Sequence, residues 1–296
     1  MAVAKIFNNF QLKINRFVIG LGIMACVTLY FVSCDSGKDE KIQLTKQRRK
    51  INLIAHRGAS DVAPENTLAA VKKALQGPAD YIEVDVHQTK DGAIILMHDA
   101  TVNRTTNGQG TIASLTLAEI KKLDAGLWYD SAYQHERVPT LSETLALVKG
   151  RKKLLIEIKK GRDGLYNGIE NKILAIIQEN KAQNWCILQT FYDPVLENIW
   201  KNELAVPTHK LIVAKIPFIP LYFDHRLQWG NFDKYDRAMA INANQYFTTQ
   251  GFVKELHNSG FKTYPWTVDD PQAINRVLAL GADGVMSSSI SQLEIE

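Results

Sequence analysis

The chain has 296 residues, of which 46% are hydrophobic and 22% charged, which is enough for one large domain or two small ones. Its formal net charge is +4, but Lys5, Lys13 and Arg16 contribute three positive charges within a segment that has no acidic residue, which leaves +1 for the remainder. A nearly neutral body excludes the basic character typical of nucleic-acid-binding proteins, so we expect no nucleic-acid partner.

The N-terminus has the order of a secretory signal: a basic start, an uncharged apolar run from Phe17 to Ser33 and a sharp polar continuation. Cys34 at the end of the run resembles the lipidated cysteine of bacterial lipoproteins. We therefore predict a signal peptide over 1–33, a lipid anchor on Cys34 and a polar tether over 34–50. The alternative is an uncleaved signal anchor, because the run is barely long enough to span a bilayer. Either arrangement predicts an exported, membrane-attached protein on the periplasmic or cell-surface side.

Cysteine usage excludes a disulfide framework and a cysteine-based zinc site. Cys26 and Cys34 lie within the signal or at its end, which leaves Cys186 without a partner. Because Cys186 lies in an apolar run, we expect it to be buried as a small hydrophobic residue.

From residue 51 onward, short apolar strands alternate with amphipathic helices. Strands are predicted at 51–55, 80–86, 153–159, 186–190, 209–214, 237–242, 262–267 and 284–286, with a hairpin extension at 93–97. Helices are predicted at 67–75, 141–148, 166–179, 194–202, 249–258 and 271–280. Eight strand steps in about 245 residues predict an α/β fold of the TIM (β/α)8 barrel type over 51–296. A doubly wound open sheet is the alternative, but no Gly-x-Gly-x-x-Gly follows the first strand.

Two segments interrupt this alternation. Residues 100–140, just after the second strand and its hairpin extension, are rich in Thr, Asn and Gly, and we predict an insertion with one helical patch at 117–123. Residues 215–236 contain six aromatic residues and two prolines, which indicates either a distorted helix or an aromatic loop.

Acidic residues recur at the ends of the predicted strands. Glu83 and Asp85 are two residues apart on one strand and therefore face the same way, and Glu157 has the same spacing to Lys159 on another. Three carboxylates that face a barrel interior repel one another unless a cation is present. Oxygen ligands favour Mg²⁺ or Ca²⁺, so we predict a divalent metal site at Glu83, Asp85 and Glu157.

The remaining polar residues at these strand ends suit phosphate chemistry. Arg57 presents a fork of donors that matches phosphate oxygens, and Lys159 carries a charge that offsets the acids or holds a phosphate oxygen. A histidine side chain ordinarily titrates near neutral pH, as proton transfer in phosphodiester cleavage requires, so His56 and His98 are candidates for a proton-transfer pair. Tyr264 and Trp266 are placed at the same rim, whereas the other histidines are taken as surface or structural residues.

These motifs, in this order, give the chain a resemblance to the glycerophosphodiester phosphodiesterase family. The motifs are His56-Arg57-Gly58, Pro64-Glu65-Asn66-Thr67, Glu83-Val84-Asp85, Asp91-Gly92, His98-Asp99, Glu157-Ile158-Lys159, Trp266-Thr267-Val268 and Gly281-Ala282-Asp283-Gly284. Ser287-Ser288-Ser289 and Thr190-Phe191 depart from the residues usual in the family, and we expect these departures to affect the substrate end without touching the metal or the histidines.

The resemblance implies a TIM barrel with a small insertion after His98-Asp99. It implies a metal held by Glu83, Asp85 and Glu157, and a catalytic pair formed by His56 and His98. It also implies substrate or phosphate contacts from Arg57 and Lys159, to which we add Trp266.

The activity implied is metal-dependent hydrolysis of glycerophosphodiesters to sn-glycerol 3-phosphate and an alcohol, with the substrate's own neighbouring glycerol hydroxyl as nucleophile. Two alternatives stay open at this point. One is a phospholipase D-like or lysophospholipase D-like activity on membrane lipids. The other is a non-catalytic lipoprotein that binds a phosphate ligand.

Overall fold

The computed structural model describes residues 42–44 and 51–295. The predicted signal over 1–33, the lipid attachment at Cys34 and most of the tether over 34–50 lie outside the described residues. Within the described ranges, no helix has the length and apolar character needed to cross a membrane.

Thirteen strands and seven α-helices make up the described part of the chain. The strands are β1 (Ile42–Leu44), β2 (Asn52–Ala55), β3 (Tyr81–Gln88), β4 (Ile94–Leu96), β5 (Lys153–Ile158), β6 (Cys186–Thr190), β7 (Thr208–Ile212), β8 (Ala214–Ile216), β9 (Leu221–Phe223), β10 (Leu227–Trp229), β11 (Ala240–Ala243), β12 (Gly284–Ser287) and β13 (Leu293–Ile295). The helices are α1 (Leu68–Gln76), α2 (Leu117–Ile120), α3 (Leu141–Val148), α4 (Ile169–Glu179), α5 (Asp193–Trp200), α6 (Gln250–Asn258) and α7 (Pro271–Ala279).

The main sheet is parallel and has the order β11-β7-β6-β5-β3-β2-β12, with β4 added antiparallel to β3. These strands are short apolar runs, as expected for strands that are covered on both faces. In β5, for example, Leu154, Leu155 and Ile156 are all fully buried. Cys186 opens β6 and is buried, as predicted. The predicted α/β class with a parallel sheet is therefore confirmed, and the sheet has seven parallel strands where eight were expected.

The segment predicted as a strand at 262–267 is not a regular strand. It makes isolated parallel bridges, from Lys262 to Ala240 and from Trp266 to Asn244. Pro265 has no N–H to donate to a ladder, which interrupts regular pairing. The segment still contacts both neighbours: Ile241 N donates to the Lys262 carbonyl at 3.0 Å, and Met286 N donates to the Pro265 carbonyl at 3.0 Å.

Three further segments differ from the sequence expectations. Residues 215–236 are neither one distorted helix nor one aromatic loop, because β8, β9 and β10 pair into a small antiparallel sheet, which a 3₁₀ turn at Asp233–Tyr235 follows. Residues 42–44, inside the predicted tether, form β1, which pairs in parallel with β13. Residues 100–140 contain only α2 and two short 3₁₀ turns, arranged around a small apolar cluster that includes Ile112 and Ile120.

Gly284 allows β12 and β2 to approach closely. A Cβ atom at this position would lie 2.0 Å from the carbonyl oxygen of Asn52, which is backbone and cannot rotate away. The pairing of β12 with β2 therefore requires a residue without a side chain.

We expect Gly284→Ala to destabilise the protein by about 1–3 kcal/mol or more, because the backbones of β12 and β2 must separate. Gly251→Ala is the matched control: Gly251 lies in α6, and a Cβ atom there would meet nothing within 4 Å, so alanine should be neutral or stabilising by about 0.5–1 kcal/mol. Urea denaturation measures both variants. Equal stabilities for the two would contradict the close approach.

Candidate active site

The carboxyl end of β2 runs directly into the turn His56-Arg57-Gly58. Arg57 and Gly58 both have positive φ, at 59° and 81°, and a side chain at Gly58 would lie 2.8 Å from the Cβ of Ala70. The turn directs the Arg57 N–H toward the neighbouring strand, where it donates to Glu83 Oε2 at 2.9 Å. The glycine of this motif is thus needed for the turn that brings β2 and β3 together at the site.

Three carboxylates meet at the carboxyl edge of the parallel sheet. Glu83 and Asp85 lie on β3, and Glu157 lies on β5 in register with Asp85. All three are buried, and each offers an oxygen within 4.8 Å of those of the other two. The spacing of two residues along β3 does place both acids on one face.

Two cations lie against this acidic cluster. Lys159 Nζ donates to Glu157 Oε1 at 2.8 Å and lies 3.2 Å from Asp85 Oδ1, while Arg57 Nε lies 3.5 Å from Asp85 Oδ2. The cations do not satisfy the whole cluster. Glu83 Oε1 and Asp85 Oδ1 are buried and accept no hydrogen bond from any described residue.

The pKa values follow from this arrangement. Burial raises the pKa of Glu83 well above its usual range, and the charges of Asp85 and Glu157 raise it further. Burial alone would also raise the pKa of Asp85, but Lys159 and Arg57 outweigh it and hold that pKa below the usual range. Conversely, burial would lower the pKa of Lys159, but the facing carboxylates raise it. The two cations thus do not compensate all three carboxylates, and the buried oxygens left without a hydrogen bond are donors that fit a hard divalent cation.

Asn66 completes the carboxylate cluster and was not singled out as a site residue from the sequence. It has a left-handed backbone with φ of 56°, and its Nδ2 donates to Asp85 Oδ2 at 2.9 Å. The Asp85 backbone N–H donates in return to Asn66 Oδ1 at 3.0 Å. This reciprocal pair fixes the Asp85 side chain; in the sequence Asn66 was part of the motif Pro64-Glu65-Asn66-Thr67, but no role was assigned to it.

His56 lies beside the cluster with its ring positioned by a serine. Its Nδ1 is 3.0 Å from Ser288 Oγ, on the segment that follows β12. Burial and the adjacent Arg57 lower the pKa of His56 to about 3, so the ring is neutral at pH 7 in this state. The expectation that the Ser287–Ser289 departure would not touch the histidines was therefore wrong, because β12 pairs with β2 and brings Ser288 to His56.

His98 is positioned by a chain of ion pairs that the sequence did not reveal. Its Nδ1 is 2.8 Å from Asp99 Oδ1, and Arg104 Nε donates to Asp99 Oδ2 at 2.8 Å. Arg104 also forms two hydrogen bonds with Glu65, which accepts a further one from Arg57. Arg104 lies in the segment predicted as an insertion, where no periodic pattern marks it.

The two aromatic residues predicted at the rim lie in different places. Trp266 is half-buried; its indole N–H donates to the Asn242 carbonyl at 3.1 Å, and its ring meets Phe191 edge-on at 5.5 Å. A substrate can therefore meet only the ring of Trp266. The rim position expected for Tyr264 was wrong: it is fully buried, and its hydroxyl lies 3.5 Å from Asn52, at the amino end of β2.

Two of the other histidines are buried structural residues. His87 on β3 has Nδ1 2.9 Å from the Tyr166 hydroxyl and Nε2 3.2 Å from the His98 carbonyl. His209 on β7 stacks on Tyr264 with ring centroids 5.5 Å apart. Burial lowers the pKa of His209 to about 3, with a smaller contribution from Lys262.

Three buried carboxylates beside two cations and two histidines, at the carboxyl edge of a parallel sheet, are the arrangement of a hydrolase of the α/β class that acts on phosphate esters. The sequence comparison gives the family. The chain belongs to the glycerophosphoryl diester phosphodiesterase family, whose model matches residues 56–291.

Individual relatives agree with this assignment. The chain is 37% identical over 244 residues to a glycerophosphodiester phosphodiesterase of Caldanaerobacter subterraneus, covering 80% of this chain and 94% of the relative. It is 32% identical over 286 residues to a glycerophosphodiester phosphodiesterase of Bacillus subtilis, covering 92% and 93%. Among solved structures, an Oleispira antarctica phosphodiesterase in complex with the product sn-glycerol 3-phosphate is similar with a TM-score of 0.70 and 28% identity, covering 82% of this chain and 94% of that one.

We expect acidification to destabilise the fold partly through His209. Because its folded pKa is lowered to about 3, the unfolded chain binds a proton below about pH 6.5 that the native protein does not, so stability falls as the pH falls. Between pH 7 and pH 5 the wild type should lose about 2 kcal/mol relative to His209→Leu. Urea denaturation at the two pH values measures this, and a difference between the proteins that stays constant with pH would contradict it.

Proposed function

We propose that the protein hydrolyses glycerophosphodiesters to sn-glycerol 3-phosphate and an alcohol. The observation that carries this proposal is the buried cluster of Glu83, Asp85 and Glu157 with Arg57 and Lys159 against it. The names of the relatives and the product bound to the Oleispira antarctica phosphodiesterase support the substrate class.

Glu83, Asp85 and Glu157 would hold one divalent cation, Mg²⁺ or Ca²⁺, which when bound supplies positive charge against the phosphoryl oxygens. Arg57 and Lys159 contribute the protein's own cations. Arg57 Nε is buried and donates no hydrogen bond to a described residue, so it is a donor that a phosphoryl oxygen would satisfy. Lys159 keeps its charge because the facing carboxylates raise its pKa.

His56 and His98 form the proton-transfer pair in this proposal. The neighbouring glycerol hydroxyl of the substrate attacks phosphorus, one histidine accepts its proton, and the other donates a proton to the leaving alcohol. Water then opens the resulting cyclic phosphate with the two roles reversed, which yields glycerol 3-phosphate. With Nδ1 held by Asp99, His98 presents Nε2 to the substrate, while Ser288 holds His56 through Nδ1 in the same way.

A second candidate activity is lysophospholipase D-like cleavage of membrane lipids at the same site. The observation that favours it is the exposed apolar surface of the small sheet β8–β10, which includes Leu227 and Trp229. In this alternative the leaving alcohol is a lipid head group and the glycerol carries an acyl chain.

We also propose how the parallel sheet closes and how the chain is attached to a membrane. Residues 262–267 close the parallel sheet into a TIM barrel, which their backbone hydrogen bonds to both β11 and β12 support.

The mature chain begins at a lipidated Cys34 and stays on the outer side of a membrane, as the order of residues 5 to 40 indicates. Mass spectrometry of the membrane fraction tests the anchor; an intact Met1 with unmodified Cys34 would favour the signal-anchor alternative.

Removal of divalent metal should abolish activity and lower stability. A cation at 100 times its dissociation constant should stabilise the chelated protein by about 2.7 kcal/mol, seen as a rise in the thermal midpoint, and Glu83→Gln should lose most of this rise. The matched control is Glu179→Gln, at an exposed position on α4, which should behave as wild type. Full glycerol 3-phosphate release by protein shown metal-free by elemental analysis would refute the metal requirement.

His56→Ala and His98→Ala should each lower turnover about 10²-fold or more, because general acid–base assistance contributes ~10²–10⁴-fold. Since neither histidine is among the proposed metal ligands, the thermal stabilisation by metal should persist in both. The loss of turnover in the double variant should be far smaller than the product of the two single losses, because both histidines act in one displacement.

The control for the pair is His135→Asn, because His135 is exposed and its positive φ of 79° suits asparagine. It should retain wild-type turnover. Near-normal turnover in His56→Ala or His98→Ala, or loss of the metal-induced stabilisation in either, would contradict the proton-transfer roles.

A further inference from the structure

The small antiparallel sheet of β8, β9 and β10, here called the flap sheet, has an inverted distribution of polar and apolar residues. Pairs in register across antiparallel strands lie on the same face. Ile216, Leu221 and Trp229 are in register, as are Ala214, Phe223 and Leu227. Lys215, Tyr222 and Gln228, also in register, lie on the opposite face.

The polar face of the flap sheet is the one that the protein covers. Tyr222 is fully buried, with its hydroxyl 2.9 Å from that of Tyr235 and its ring packed against Phe232. The apolar face points outward: Leu227 is 63% exposed and Trp229 75% exposed. Sheets that face water on one side normally have the reverse arrangement.

The exposed apolar surface continues beyond the strands. Phe218 in the β8–β9 turn is fully exposed, and Ile219 is also exposed. A groove of about 740 Å³ runs from this turn to the start of α6, lined in part by Pro217, Phe218, Pro220 and Phe252. Apolar residues that form one continuous surface mark an interaction site, whereas single exposed ones do not.

The strands and turns of the flap sheet carry no exposed acid of their own, and the exposed acid that lines the same groove, Glu255 of α6, pairs with Lys215 Nζ at 3.2 Å. Asp224 is the only acidic residue between 216 and 229, and its carboxylate is buried 3.0 Å from Lys210 Nζ. Arg226 is the exposed charge in this stretch. An apolar surface with aromatic residues, an exposed basic residue and no unpaired carboxylate can enter a lipid head-group region without desolvating an isolated anion.

The flap sheet is held next to the candidate active site. Val213, directly after β7, donates its N–H to the Phe223 carbonyl at 2.7 Å. The ring of His225 lies 4.7 Å from that of Tyr192, and Lys160 Nζ lies 5.8 Å from the Tyr192 ring centroid. Since Lys160 follows the site residue Lys159, the flap sheet is at the carboxyl edge of the parallel sheet, beside the site.

We propose that the outer face of the flap sheet inserts into the interfacial region of the lipid bilayer to which the chain is anchored. This rests on the proposed anchoring. Eight residue steps separate Cys34 from Ile42, where β1 joins the body, and an extended chain of that length spans at most about 28 Å. A chain anchored through so short a tether always stays near the bilayer, so the bilayer is the apolar phase that the outer face of the flap sheet can meet. Docking in this way turns the active-site edge toward substrates at the membrane surface.

The test uses the full anchored chain in phosphatidylcholine vesicles with brominated or ordinary acyl chains, and measures quenching of tryptophan fluorescence. Wild type should be quenched, and Trp229→Phe should lose at least half of that quenching. Trp185→Phe is the matched control, because the Trp185 carbonyl accepts from Leu154 N near the amino end of β5, and the absolute emission that it loses to the brominated lipid should equal that of wild type. Equal quenching in wild type and Trp229→Phe would overturn the proposal.

A second measurement uses the double variant Phe218→Ser/Leu227→Ser. Its rate on a lysoglycerophospholipid in vesicles should fall at least fivefold relative to wild type, while its rate on a soluble glycerophosphodiester stays within twofold. If the wild type releases no glycerol 3-phosphate from the soluble substrate, the proposed function fails, and the quenching still decides the docking. If the double variant instead abolishes self-association in detergent, measured by sedimentation, and leaves quenching unchanged, the face binds a second copy and the proposal is overturned.

Discussion

The concentration of three buried carboxylates at one point is the constraint on which the rest of this structure depends. Glu83, Asp85 and Glu157 have oxygens within 4.8 Å of one another, in a place where water cannot screen them. Such a cluster is tolerated only if positive charge surrounds it. The neighbouring elements supply this charge, since Arg57 lies in the turn after β2 and Lys159 directly follows β5.

The same electrostatic requirement extends outward into the loops. Arg57 is shared between Asp85 and Glu65, and Glu65 in turn holds Arg104, which holds Asp99 against His98. His98 is therefore connected to the carboxylate cluster through alternating charges rather than through apolar packing. In such a chain each side chain has two partners, so its rotamer is determined from both ends, which keeps reactive groups at fixed positions.

Much of the fold could be predicted because its strands are short and mostly apolar and its acids recur at a spacing of two. The proximity of Glu83, Asp85 and Glu157 follows from that spacing and from parallel pairing alone. The contributions of Asn66, Ser288 and Arg104 could not be predicted in this way. They depend on a left-handed backbone, on the pairing of β12 with β2 and on a loop without periodicity.

The flap sheet shows the other limit of sequence patterns. Alternation predicts which residues share a face, but it cannot say which face is covered, and here the polar face of Tyr222 and Gln228 is the covered one. Tyr264 shows the same limit in the main sheet. Its position on a segment that also holds Trp266 gave no indication that its hydroxyl lies near Asn52, at the opposite end of β2.

Cys186 has a consequence for where the protein can fold. It is the one thiol within residues 51–295; it lies buried at the start of β6, and burial raises its pKa to about 12. The reactive thiolate is therefore scarcely populated at neutral pH, and oxidants have no access to the sulfur. The described body consequently contains no pair of thiols that could form a disulfide within it, so its native state has the same covalent structure in a reducing and in an oxidising compartment.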